Sequence, residues 1–196
     1  QGADVMLMMD SLTRFCMAQR EIGLSAGEPP TSRGYPPSVF SLLPRLLERA
    51  GAAEVGSITG LYTVLVDGDD HNEPISDAAR SILDGHVVLS RKLAHANHYP
   101  AIDVLASVSR VTGAVTTEDE RDLLYELRRL MAAEAEARDL IEIGAYVPGT
   151  NPTVDRAVAM RDTIKGFLTQ RTHDQWDAER SFARLREILG PGGGRS

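Results

Sequence analysis

The 196 residues are 42% hydrophobic and 25% charged, with 17 Gly, 10 Pro and 5% aromatics, a globular profile with chain enough for a real core. Twenty-eight acids against 21 bases leave a net charge of −7, which argues against nonspecific binding to nucleic acid or anionic lipid. The lone Cys16 excludes an internal disulfide, no Cys/His cluster has zinc spacing, and no run is long enough to span a bilayer or read as a signal peptide, so a reducing compartment is expected.

Residues 5–9 (VMLMM) are an unbroken apolar run ending at Asp10. Without period-2 alternation the run predicts a strand buried on both faces, as in a parallel sheet covered by helices. Helical spacing follows over 12–22 and over 38–50, where Val39, Leu42, Leu43, Leu46 and Leu47 recur every three or four residues. The Pro- and Gly-rich loop between them, 27–37 (GEPPTSRGYPP), is a rigid connector or a functional surface loop. Residues 57–66 read as a β-branched strand leaving through Asp67-Gly68-Asp69-Asp70. A short strand at 86–89, a short helix at 90–96 and an extended segment at 102–108 complete an α/β alternation. The chain opens almost directly on a strand that needs neighbours, and 1–115 supply three or four strands, so it is expected to be the C-terminal part of something larger.

Beyond Gly113 the texture is nearly pure helix. Thr117 and Glu120 form a capping box ahead of the stripe Leu123, Leu124, Leu127, Leu130 and Met131. Asn151-Pro152 is a cap and first-turn pair, and Thr172 with Gln175 predicts a second box opening a helix that carries Trp176, Phe182, Leu185, Ile188 and Leu189. The expected division is therefore 1–114, part of a parallel sheet with flanking helices; 115–190, a helical domain; and 191–196, a disordered glycine-rich tail.

Four residues are candidates for chemistry. Asp10 ends an apolar strand, where ligands bind in open α/β sheets and where phosphate-loop NTPases keep an acid for magnesium, although an Asp there is also a good helix N-cap. Arg110, in the small-residue segment 106–111, could reach a neighbour's nucleotide from a domain edge, or form a surface ion pair. Tyr99 and Tyr146 offer flat rings for a base, or core and hinge positions. His86, His95 and His98 span a predicted strand and helix rather than a ligand spacing, and Cys16 sits among apolar neighbours as an inert thiol.

Together the stretches 5–15 (VMLMMDSLTRF), 27–40 (GEPPTSRGYPPSVF), 63–91 (TVLVDGDDHNEPISDAARSILDGHVVLSR) and 98–111 (HYPAIDVLASVSRV) resemble the type III protein export ATPases, flagellar and virulence-associated, which are similar in turn to rotary ATP synthase catalytic subunits. Thr31-Ser32-Arg33 and His71-Asn72-Glu73-Pro74 look more like the flagellar branch. The resemblance implies a RecA-like nucleotide-binding core and a C-terminal helical domain, assembled as a cytoplasmic homohexamer with ATP and Mg2+ between subunits. It implies partners in the export apparatus: stalk and stator proteins, an export gate at the inner membrane, and secreted substrates with their chaperones, but no nucleic acid. By position, Asp10 matches the acid of the magnesium site, Arg110 an arginine finger acting on the neighbouring subunit's ATP, and Tyr99 the aromatic residue beside adenine. Tyr146 lies in the segment closing the other side of that pocket.

The departure is that no GxxxxGK[ST] phosphate loop occurs in the 196 residues, and the family's catalytic glutamate is also missing. Without the loop's backbone N–H cradle, this polypeptide alone is expected to hydrolyse ATP negligibly. Two alternatives stand beside the export motor. One is a non-catalytic interaction module, with residues 117–190 contacting a stalk-like coiled coil through Glu118-Asp119-Glu120 and the mixed face Arg121, Arg128 and Arg129. The other is a RecA-like hexameric RNA helicase, which the net charge of −7 disfavours.

Overall fold

A computed structural model describes residues 2–66, 68, 70 and 73–190. The expected tail at 191–196, and Asp67, Asp69, His71 and Asn72 of the sequence motifs, lie outside the described residues. The chain forms two compact units, Gln1–Asp84 and Gly85–Ser196.

In the first unit, β1 (Asp4–Met9) runs parallel to β3 (Ser57–Tyr62), with Asp4 opposite Ser57 and Met9 opposite Tyr62. The two-residue β2 (Gly51–Ala52) pairs antiparallel on the far side of β3. Two helices make the crossover, α1 (Leu12–Ser25) and α2 (Pro37–Leu47), and α3 (Pro74–Ile82) follows β3. Pro37 opens α2 where no amide donor is needed. The apolar stripe of α2 then buries Val39, Leu43 and Leu47 against Leu12 and Cys16 of α1 and Ile75 and Ala79 of α3. Close approach is allowed by Gly23, where a Cβ would stand 2.7 Å from Pro36 Cγ.

The strand at 5–9 forms as expected, but its burial does not. Val5, Met6, Leu7 and Met8 are all exposed, Met8 at 74%. The reason is topological: among the described residues β1 pairs only with β3, and the core gathers among the three helices, touching the two strands at Met9 and Tyr62.

In the second unit, β4 (Gly85–Leu89) and β5 (Ile102–Ser109) form a separate antiparallel pair linked through α4 (Arg91–His95). Residues 86–89 and 102–108 thus adopt extended structure as expected, but in their own two-stranded sheet rather than in the parallel one. Gly85 has backbone where a side chain would go: an added Cβ would lie 2.5 Å from Val108 O. The short α5 (Thr112–Val115) leads to α6 (Glu118–Glu142), α7 (Pro152–Leu168) and α8 (Ala178–Leu189). These last three enclose Leu123, Leu127, Leu130, Ala157, Ile164, Leu185 and Leu189, each buried leucine contributing roughly 1.5–3 kcal/mol. The Thr117/Glu120 capping box forms, and Asn151 caps α7. The expected Thr172/Gln175 box does not: Asp177 caps α8 by accepting from Arg180 N at 2.7 Å, so Trp176 precedes the helix. By compactness the chain divides at Asp84/Gly85, so β4 and β5 travel with the helices although the sequence texture changes near 114. No helix among the described residues is long and apolar enough to cross a membrane.

Candidate functional site

Asp10 stands exposed at the carboxyl end of β1. It does not cap α1: Ser11 does, its hydroxyl accepting the Arg14 amide at 3.2 Å. The first turn of α1 is tied to the exit of β3, with Leu12 N donating to Thr63 O at 2.9 Å and Leu65 N to Thr13 Oγ1 at 2.9 Å. The same segment orients the carboxylate, because the Thr63 hydroxyl donates to Asp10 Oδ1 at 2.8 Å. An exposed, oriented carboxylate suits a hard divalent cation. No group of three His, Cys, Asp or Glu that could hold a metal exists among the described residues. Asp10 could therefore hold an ion only together with oxygens from elsewhere, such as a phosphate.

In the second unit, Arg110 is exposed between β5 and α5. Tyr99 is half exposed, and its carbonyl accepts from Gln170 N at 2.9 Å. Next to it, His98 is buried with Nδ1 3.3 Å from the Thr169 hydroxyl, so this segment is fastened to the end of α7. A cavity of about 700 Å³ opens here, lined among others by Pro100, Phe167, Gln170 and Trp176.

Tyr146 is elsewhere. Its hydroxyl donates to Asp155 Oδ1 at 2.9 Å, with Asn151 O also within 3.2 Å, both at the start of α7. Local burial and the Asp155 bond hold its phenol above the usual range. Tyr99 is fastened to the other end of that 17-residue helix, about 25 Å away at 1.5 Å per residue. The two tyrosines are therefore fastened at opposite ends of α7, and Phe167 and Trp176 line the cavity beside Pro100, the residue after Tyr99. Phe167 lies near the end of α7 and Trp176 just ahead of α8, and only the fold brings both to the segment that follows Tyr99.

The other candidates resolve plainly. His86 Nε2 lies 3.1 Å from Ala106 O and His98 Nδ1 3.3 Å from the Thr169 hydroxyl, and the three histidines form no ligand group among the described residues. Cys16 is fully buried, and desolvation, helped by the Glu73 charge, pushes its thiol up to about 11.

Residues 1–109 match the family described as "ATP synthase alpha/beta family, nucleotide-binding domain", and 116–187 match "T3SS EscN ATPase C-terminal domain". The flagellum-specific ATP synthase of Treponema pallidum (strain Nichols) is 57% identical over 97% of this chain and 42% of its own length. The type 3 secretion system ATPase of Sinorhizobium fredii (strain NBRC 101917 / NGR234) is 56% identical over 96% of this chain and 42% of its own. Among solved structures, the assembled ATPase EscN of the enteropathogenic E. coli type III secretion system superposes with a TM-score of 0.90 at 47% identity, covering 94% of this chain and 45% of that one. The same ATPase in complex with its central stalk EscO gives 0.84 at 46% identity, over 94% and 44%. The chain thus spans a little over two fifths of the proteins it matches, and it belongs to the ATP synthase alpha/beta family, in the branch of the flagellum-specific and type III secretion ATPases.

Proposed function

We propose that these residues supply part of an ATP-hydrolysing site in a motor that energises type III, flagellar-type protein export. The observation that carries the reading is Asp10: an acid at the carboxyl end of a parallel strand, relieved of capping by Ser11 and oriented by Thr63. Asp10 would help hold Mg2+, which supplies charge neutralisation on the phosphates when bound. Arg110 would act on ATP bound by a neighbouring copy in a homohexamer. Its fixed positive charge stabilises charge developing on the transferring phosphoryl group, an effect worth roughly 10³–10⁵ in rate in phosphate-loop systems. The base would stack on the half-exposed ring of Tyr99, next to Pro100 at the edge of the cavity that Phe167 and Trp176 line. The phosphates must be gripped by residues beyond these 196, which contain no GxxxxGK[ST], so the chain alone turns over ATP negligibly.

The loop between α6 and α7 exposes Ile143 at 75% and Val147 at 63%, which suits contact with an apolar stripe of a stalk protein. Stator proteins, the export gate, and secreted substrates with their chaperones complete the proposed partners, with the motor cytoplasmic and peripheral to the inner membrane. This contact keeps the interaction-module reading as a second role of the helical layer. Membership of the ATP synthase family leaves the helicase alternative without a supporting observation.

The deciding experiment replaces Arg110 by Ala in a hydrolysis-competent, full-length protein carrying these residues. Hydrolysis should be abolished while ATP binding survives, and activity within about threefold of the parent would defeat the assignment.

A further inference from the structure

The strand that presents Arg110 is irregular. Its pairing jumps from His86 opposite Val108 to Val88 opposite Asp103, so residues 104–107 bulge out opposite Val87 alone. Carbonyls that leave a ladder need other donors. Asp103 O accepts from the Ser107 hydroxyl at 2.6 Å, and Ala106 O lies 3.1 Å from His86 Nε2. The remaining three face one side chain. Arg128 of α6 donates from Nη1 to Val104 O at 2.6 Å and, at a long 3.4 Å, to Ser107 O, and from Nη2 to Leu105 O at 3.0 Å. Earlier on the same helix, Arg121 Nη1 donates to Gly113 O at 2.9 Å.

Ser107 and Gly113 stand three residues to either side of Arg110. Arg121 and Arg128 are two helical turns apart on one face of α6, about 10 Å along its axis. The helix therefore holds the backbone on both flanks of the arginine.

We propose that α6 is a bracket that sets the position of Arg110, with Arg128 and Arg121 as positioning residues. This rests on the role proposed for Arg110. The planar guanidinium fork spans the carbonyls of the bulge from two separate nitrogens; a lysine ammonium keeps the charge but places its three donors at a single point. Because α6 also carries Leu123, Leu127 and Leu130 into the helical core, a displacement of that core reaches Arg110 through two side chains rather than through a slack loop.

The test uses the hydrolysis-competent, full-length protein. Arg128→Ala should lower kcat by roughly 10- to 100-fold, the loss expected for misplacing a catalytic group by about 1 Å, with KM for ATP unchanged. Arg128→Lys should recover only a small part of that loss. Adding Arg128→Ala to Arg110→Ala should reduce the residual rate no further, since one residue acts through the other. Glu134→Gln, which breaks ion pairs elsewhere on α6, should stay within about twofold of the parent and controls for general loosening. If Arg128→Ala leaves kcat within twofold while Arg110→Ala is inactive, or if the two losses multiply, the bracket is overturned and the role of Arg110 stands. If Arg110→Ala itself stays active, that role fails, and the bracket with it. Should Arg128→Ala lose its folding transition, Arg128→Lys and Arg121→Gln carry the same expectations.

Discussion

Glu126 of α6 and Arg156 of α7 meet at 2.6 Å, and the carboxylate is only 3% exposed. Glu126 also accepts from Arg129 Nε at 2.8 Å, while Arg156 Nη2 donates to Leu189 O at 3.0 Å. One buried carboxylate thereby links α6, α7 and the end of α8. Removing one side of a buried, hydrogen-bonded pair strands the other. Here both arginines are part exposed and can rehydrate, which lowers the cost. Glu126→Ala is expected to destabilise the helical unit by about 2 kcal/mol in denaturant unfolding, and a change under about 0.5 kcal/mol would make the link idle.

Glu134 behaves differently with pH. Burial raises its carboxyl, but Arg138 at 2.6 Å and Arg161 at 2.9 Å outweigh that and hold it below its ordinary 4.5. A carboxyl lowered by folding contributes stability above its unfolded value, and loses it as pH falls through the folded one. The melting-temperature gap between the parent and Glu134→Gln should therefore be widest near pH 6 and close toward pH 3. A gap that stays constant would contradict this.

Cys16 acts at the alkaline end. A thiol raised from 9.0 to about 11 favours the folded state below pH 9, and that contribution fades as pH climbs through 11. The expected size is on the order of 2 kcal/mol. Between pH 8 and pH 10.5 the parent should lose more stability than Cys16→Ala, which carries every other titrating group unchanged. The native thiol should also resist alkylation at pH 8 until the protein unfolds.

The two tyrosines separate cleanly. In the full-length protein, Tyr99→Ala should weaken ATP binding by about tenfold, in line with loss of one base–ring stack. Tyr146→Ala should leave the affinity within about twofold, because its ring sits at the opposite end of α7 with its hydroxyl committed to Asp155. Equal losses at both positions, read by titration with a fluorescent ATP analogue, would refute the placement.

Local chemistry made much of this molecule legible beforehand. The spacing of Val39, Leu43 and Leu47 marks α2, and Thr117 with Glu120 marks the start of α6 to the residue, because helical period and caps depend on a few neighbours in sequence. Where two caps compete, the same signals mislead: Asp177 takes the start of α8 from Thr172 and Gln175. The nine-residue α3 is too short for its stripe to stand out, although Glu73 accepting from Ile75 N and Ser76 N, with Pro74 behind it, is its mark in hindsight.

By itself, then, the sequence determined the strand ending at Asp10, the helical stripes and the resemblance that named Asp10, Arg110 and Tyr99, all properties written within a few residues of one another. Tertiary structure alone decided that Ser11 rather than Asp10 caps α1, that Tyr99 and Tyr146 are fastened at opposite ends of α7, and that two arginines of α6 grip the backbone around Arg110. Those contacts join residues separated by long stretches of chain, and burial or pairing at such a distance depends on how whole layers pack, which no local pattern encodes.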